Sequence, residues 1–223
     1  MPDSASPPKT PCLPLHLGDT APNFEARTTM GHVSLSDYHG RWLVLFSHPA
    51  DFTPVCTTEF VALSKAADLF AALGCALLAV SVDSLYSHLA WVRAIRENFG
   101  VTVSFPIIED PSMVIGRAYG MIADTAGDAE TMRSTFFIDP TGIIRAITCY
   151  PATVGRSVDE MLRIVAALQR VDAEDIVTPE GWRPGDAVLM PPEVHQDAML
   201  ASAVGEAWFH RVIEGADAPV IAA

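Results

Sequence analysis

Apolar residues along this chain alternate between two textures. Trp42 to Ser47 (WLVLFS) is a continuous apolar run of strand length, and it enters a loop, SHPADFTP, whose prolines cannot continue a ladder. From Pro54 to Leu73 the apolar positions Val55, Phe60, Leu63, Ala67, Phe70 and Leu73 recur at helical spacing, and Gly74 supplies the stop. Cys75 to Val82 (CALLAVSV) predicts a second buried strand. Ser84 to Phe99 then predicts a helix through Leu85, Leu89, Val92, Ile95 and Phe99, closed by Gly100. Strand, helix, strand, helix is the pattern of an α/β fold with a substantially parallel sheet.

Phe105 to Ile108 reads as a further strand. Asp110-Pro111 then predicts a short helix with an acid at its N-cap and proline in its first position. The period next changes: Ser134 to Ile138 and Ile143 to Tyr150 flank Asp139-Pro140-Thr141-Gly142, which predicts an antiparallel hairpin. Ser157-x-x-Glu160 is a capping box ahead of Met161, Ile164, Val165 and Leu168, placing a helix over Val158 to Arg170. The compact domain is thus expected over residues 16–170, preceded by a disordered proline-rich tail at 1–15. Residues 171–223 carry scattered prolines and acids, an alanine-rich segment from Ala198 to Trp208, and the large rings of Trp182, Trp208 and Phe209, which seek burial. An arm docking on a partner subunit, an extension serving dimerisation, is expected there.

Composition narrows the function. The chain has 223 residues, half of them hydrophobic, with 14 Lys+Arg against 27 Asp+Glu and a net charge of −13. Such a chain folds around its own core. With no basic cluster, it repels phosphate backbones and anionic lipid, so neither nucleic acid nor membrane is an expected partner. No apolar run approaches the 18 or so residues of a membrane span, and the first residues have no apolar core of a secretory signal. Four cysteines without close pairing fit a reducing compartment, which makes the cytoplasm the expected location.

The chemistry concentrates in Ser47 to Glu59, SHPADFTPVCTTE. Thr53 suits an N-cap and Pro54 the first helical position, so Cys56 falls at the third residue of a helix. Free N–H groups and the positive end of the helix dipole favour an anion there, and the Thr53 hydroxyl is expected beside the sulfur. The other cysteines have no such placement: Cys75 opens an apolar strand, Cys149 lies in the hairpin and Cys12 in the tail. No C-x-x-C pair exists, which disfavours a dithiol exchanger. His32, His39, His48 and Cys56 lie close in sequence, but without the C-x₂₋₄-C or H-x₃₋₅-H spacing of a metal site, so no metal is expected. The G-x-S-x-G elbow of a serine hydrolase and a glycine-rich phosphate loop are absent.

Pro49-x-x-x-Thr53-x-x-Cys56 matches the P-x-x-x-T-x-x-C motif of the peroxiredoxins. SHPADFTPVCTTE, together with Tyr150-Pro-Ala-Thr-Val-Gly-Arg156 and Trp182-Arg-Pro-Gly-Asp186, resembles the one-cysteine subfamily. APNFEA at Ala21 to Ala26 and DSLYSHLAW at Asp83 to Trp91 extend the likeness from about Gly18 to about Pro192. The resemblance implies a thioredoxin-like fold, with a central mixed sheet flanked by helices and a C-terminal arm, and thiol-dependent reduction of hydrogen peroxide and organic hydroperoxides without a bound cofactor. It makes Cys56 the peroxidatic cysteine, Thr53 a hydrogen-bond partner of the peroxide, Pro49 a shield over the sulfur, and Arg133 the cation that holds thiolate and leaving oxygen. It places Glu59 and Arg156 behind them, a carboxylate orienting an arginine, and makes His48 an active-site histidine.

No cysteine occurs from Val171 to Ala223, where a two-cysteine member would carry its resolving thiol. A one-cysteine mechanism is expected, with an external thiol such as glutathione or a thioredoxin-like protein as reductant, in a homodimer or larger homo-oligomer. Cys149, in a strand resembling the family's subunit-pairing edge, is the residue that would upset this. The phospholipid hydrolysis of some animal members is not expected, because His39-Gly40-Arg41-Trp42 contains no serine and Asp139-Pro140-Thr141-Gly142 differs where the aspartate would fall. A peroxide sensor or redox-regulated chaperone using the same cysteine without sustained turnover is the alternative reading. A structural subunit of the same fold would instead leave Cys56 unreactive.

Overall fold

The computed structural model describes residues 14–122, 131–201 and 207–214, which divide into two compact units. The first takes in 14–67 and 76–156, the second 68–75 and 157–214. Expectations for the tail and Cys12, for 202–206 of the alanine-rich segment and for the last nine positions lie outside the described residues.

In chain order, up to residue 156, come β1 (Glu25–Thr28), β2 (Gly31–Ser34), a 3-10 turn at Leu35–Tyr38, β3 (Trp42–Ser47), α1 (Pro54–Ala72), β4 (Cys75–Ser81), α2 (Leu85–Phe99), β5 (Ile107–Glu109), α3 (Val114–Ala118), β6 (Arg133–Ile138) and β7 (Ile144–Tyr150); all belong to the first unit but the end of α1 from Asp68 and the first residue of β4, Cys75. The strands form one sheet in the order β2-β1-β5-β4-β3-β6-β7. It is mixed: β4 and β5 run parallel, whereas β3 with β6 and β6 with β7 are antiparallel. The central strands read as unbroken apolar runs because both faces are covered. Leu43 and Leu45 of β3 join Leu78, Val80, Ile108, Phe136 and Ile138 in one core cluster. On the alternate face Phe46 meets Phe60 of α1 edge-on, and Phe105 packs on both rings. Gly100 closes α2 in the left-handed region at φ 66°, its N–H reaching the carbonyl of Arg96.

The alternation read from the sequence gives the succession of strands and helices but not a substantially parallel sheet, since β1–β2, β1–β5, β3–β6 and β6–β7 all pair antiparallel. Three single elements also differ. The β1–β2 hairpin was not expected. The short helix α3 starts at Val114 and not at Pro111; Met113 takes the cap position, and the Asp110 carboxylate reaches past it to the N–H groups of Val114 and Gly116 at 2.9 and 2.7 Å. The helix expected over Val158 to Arg170, α4 (Val158–Ala173), runs beyond Arg170.

In the second unit α4 is capped by the Ser157 hydroxyl, which accepts the Glu160 N–H. Next come β8 (Val188–Leu189), α5 (Gln196–Ala201) and β9 (Val212–Ile213), with β8 and β9 antiparallel. Trp182 finds its burial inside this unit, at 2% exposure among Leu73, Ala166, Ala167, Ile176 and Val188, and its indole N–H donates to the Asp186 carbonyl. Burial of that ring therefore requires no partner. Phe209 is different: it packs edge-to-face on Trp208 and keeps 65% of its surface exposed.

Candidate active site

The site grows from the end of β3. The His48 N–H donates to the Val80 carbonyl and the His48 carbonyl accepts the Thr131 hydroxyl, so the chain leaves the sheet on a fixed path. Pro49 is buried in that loop. Phe52 follows at φ 56°, a left-handed conformation that costs a bulky residue about 1–3 kcal/mol and persists only where neighbours impose it. Thr53 is the N-cap of α1: its carbonyl accepts the Thr57 N–H, as the first bond of the helix. Its hydroxyl donates to the Ala50 carbonyl at 2.8 Å, which leaves its lone pairs as acceptors. Cys56, in the first turn of α1 among amides with no helical partner, is fully buried.

Arg133, at the start of β6, reaches the sulfur. Its Nη1 lies 3.2 Å from Cys56 Sγ and 2.9 Å from Glu59 Oε2, and its Nε and Nη2 both donate to the Ala152 carbonyl at 3.0 and 2.7 Å. Arg156 backs Glu59 from the far side: its Nε and Nη2 hold the two carboxylate oxygens at 3.0 and 2.7 Å, its own N–H adds a third bond, and Nη1 reaches Ser134 and Thr135. One carboxylate thus orients two guanidiniums, all three nearly out of contact with water. Burial opposes ionisation of Glu59, but the hydrogen bonds and charge of Arg156, with Arg133 behind them, outweigh it and hold the carboxyl below its usual range.

A depressed carboxyl stabilises the fold above its unfolded value of 4.5, and that stabilisation is lost as pH falls from there toward the folded value. Urea midpoints measured between pH 7 and pH 3 are therefore expected to drop below about pH 4.5, with a shallower drop in Glu59→Gln. Equal slopes in the two proteins would contradict this account.

A third group lies beneath the loop. His48 is fully buried, packed on Phe60 and Trp91, with Nε2 3.0 Å from Asp51 Oδ1. His88 of α2, equally buried, sets Nδ1 2.9 Å from Asp51 Oδ2 and Nε2 3.2 Å from the Ile108 carbonyl. Burial pushes His48 down. Burial also works against the Asp51 carboxylate, but hydrogen bonds from both histidines hold it well below the usual range. His48, Asp51 and His88 are the one set of possible metal-ligating side chains that come together among the described residues, but their atoms already meet one another at direct hydrogen-bond lengths.

Cys56, Glu59, Arg133 and Arg156 are thus joined in one bonded chain, with Thr53 three residues before the cysteine; His48 is tied instead to Asp51. His32 and His39 do not join this set. Sequence reasoning missed Asp51 and His88. The available signal was the stripe His88, Trp91, Ile95 facing inward on α2, in which a histidine occupies a core position.

A thioredoxin-like sheet that presents a buried cysteine to an anchored arginine at a helix start defines a thiol-based redox enzyme. Residues 17–147 match the model of the AhpC/TSA family, and residues 167–202 match the C-terminal domain of 1-Cys peroxiredoxin. Peroxiredoxin 2 of Picrophilus torridus is 48% identical over 84% of this chain and 92% of its own. A yeast mitochondrial 1-Cys peroxiredoxin, solved to explain thiol resolution via glutathione/thioredoxin systems, superposes with a TM-score of 0.76 at 43% identity, covering 84% of this chain and 92% of that one. A mutant of peroxiredoxin 6 of Arenicola marina gives 0.80 at 31% identity, over 92% and 100%. The chain belongs to the peroxiredoxins, the thiol-dependent peroxidases of the AhpC/TSA family. No helix among the described residues is long and apolar enough to cross a membrane.

Proposed function

We propose that this peroxiredoxin works through Cys56 alone, with an external thiol as reductant. The observation that carries the reading is the Arg133 guanidinium, fixed by Glu59 and Ala152 and aimed at the Cys56 sulfur from 3.2 Å. The thiolate attacks the nearer peroxide oxygen, the O–O bond breaks, and its electron pair leaves on water or an alcohol after proton uptake. Cys56, oxidised by two electrons, is left as a sulfenic acid. Arg133 faces both the thiolate and the charge that develops on the departing oxygen. The Thr53 hydroxyl, its proton spent on Ala50, accepts from the peroxide O–H, and Pro49 limits water at the sulfur. Glu59 and Arg156 fix Arg133, and His48 braces the loop from below.

The position of Cys149 supports a single-cysteine cycle. It pairs with Ser134, one residue along from Arg133, so the pleat of β6 and β7 turns it to the sheet face opposite the Cys56 site. A first external thiol then condenses with the sulfenic acid, releasing water and forming a mixed disulfide. A second thiol reduces that disulfide to the free cysteine and a disulfide product. Glutathione or a thioredoxin-like protein suits this role, in line with the systems that resolve the yeast relative. Cys56, Cys75 and Cys149 are free thiols, and a reducing cytoplasm would keep them so. The extension at 171–223 serves dimerisation, with exposed Phe209 and Val212 as its apolar contacts.

Intact mass after one equivalent of hydrogen peroxide tests the cycle. One added oxygen, then a single glutathione adduct and restored peroxide consumption, are expected equally in wild type and Cys149→Ser. A Cys56–Cys149 disulfide in wild type, or a stall after one turnover with every thiol supplied, would overturn it.

A further inference from the structure

The mechanism above makes no use of His88, yet this residue sits in a buried network with a definite proton count. Asp51 and the Ile108 carbonyl are acceptors facing its two ring nitrogens, Nδ1 at 2.9 Å and Nε2 at 3.2 Å. A backbone carbonyl cannot donate, and neither can an ionised carboxylate, so both contacts are hydrogen bonds only if each nitrogen of His88 carries a proton. His48 meets Asp51 through Nε2, while its Nδ1 is buried without a partner among the described residues, which fits a neutral ring with its proton on Nε2 better than a cation whose second N–H would be left unpaired. The charges then close: a cationic His88, an anionic Asp51 and a neutral His48, all shielded from water.

Asp51 also belongs to the reactive loop. Its N–H donates to Asp83 Oδ2 at 3.0 Å, and Asp83 in turn accepts the Ser81 hydroxyl, so the residue is stitched to the β4–α2 connection through its backbone and to α2 through its side chain. The next residue is the left-handed Phe52, and the one after that is Thr53. The anchor is therefore placed where the chain must be forced into a strained turn before the cap of α1.

We propose that His88 is a positioning residue for peroxide reduction: as a buried cation clamped between Asp51 and the Ile108 carbonyl, it holds the strained Phe52 turn and so sets Thr53 against Cys56. The clamp acts on where the peroxide is held and not on the sulfur itself. Losing it slows the reaction with peroxide far more than the reaction with a reagent that needs only the thiol. This inference rests on the assignment of Cys56 as the peroxidatic cysteine.

The test compares, in the full-length reduced protein, the second-order rate constants of Cys56 with hydrogen peroxide and with iodoacetamide, each followed by intact mass. His88→Phe keeps the ring and removes both donors; the peroxide rate is expected to fall at least about tenfold while alkylation changes by less than about threefold. His88→Asn, whose amide restores a donor toward Asp51, is expected to recover most of the peroxide rate. A wild-type peroxide rate in His88→Phe, equal losses in both reactions, or no recovery in His88→Asn would each overturn the proposal. Should His88→Phe fail to fold, ¹⁵N-histidine NMR of the wild type decides: protons on both His88 nitrogens at neutral pH are expected, and a neutral ring refutes the clamp. Failure of the underlying assignment reads differently, because wild type would then gain no oxygen at Cys56.

Discussion

Cys56→Ser is expected to abolish rapid peroxide consumption, with no oxygen gained and no turnover on adding thiol. Serine preserves the volume and the helix start, so the variant should fold, but its hydroxyl stays protonated beside Arg133 and lacks the sulfur nucleophile. The surroundings make the result decisive. Cys56 is fully buried at the first turn of α1, and the other described thiols lie outside its hydrogen-bonded chain of Arg133, Glu59 and Arg156. Peroxide consumption by stopped flow, with mass recorded on both proteins, checks it. Equal slow reaction of wild type and variant would make Cys56 an ordinary core thiol.

Glu59→Ala is expected to cause the largest loss of stability of any single change at the site. The carboxylate accepts from Arg133 at 2.9 Å, from the Arg156 side chain at 2.7 and 3.0 Å and from the Arg156 N–H at 2.7 Å. Removing it leaves two buried guanidiniums facing each other without a counter-charge. Breaking a buried pair by deleting one partner costs about 3–5 kcal/mol. In a chain of this size that corresponds to a fall in Tm of roughly 10 °C, readable by circular dichroism. Peroxide reactivity should fall as well, because Arg133 keeps Ala152 as an anchor but loses the carboxylate that turns Nη1 toward the sulfur. A Tm within about 2 °C of wild type would mean that water enters and screens the two cations.

Much of this architecture is legible in the sequence where burial leaves a periodic mark. Trp42 to Ser47 and Cys75 to Ser81 read as strands because both faces are covered, and Leu85 to Phe99 reads as a helix from the spacing of Leu85, Leu89, Val92, Ile95 and Phe99, but the face it buries is His88, Trp91 and Ile95, while Leu89 and Phe99 are exposed. The β1–β2 hairpin left no such mark: its strands have four residues each, and Glu25, Arg27 and His32 interrupt any apolar run. Cys56 at a helix start follows from local rules alone. The roles of Arg133, Glu59 and Arg156 came from resemblance, since nothing in their local sequence separates them from surface charges. Asp51 and His88 escaped for the same reason, their contact spanning 37 residues and following no local pattern.

The separations within the site carry a consequence for the life of the chain. Arg133 lies 77 positions beyond Cys56, and Arg156 lies 97 beyond Glu59. In the proposed mechanism the cysteine leaves the ribosome long before the residues that would activate it are made, and folding has to close those distant contacts before the sulfur can react fast. On that mechanism the emerging polypeptide is expected to pass through synthesis with a sluggish thiol, protected from oxidation by its own incompleteness. Any later opening that releases β6 from α1 is expected to return the cysteine to that dormant condition.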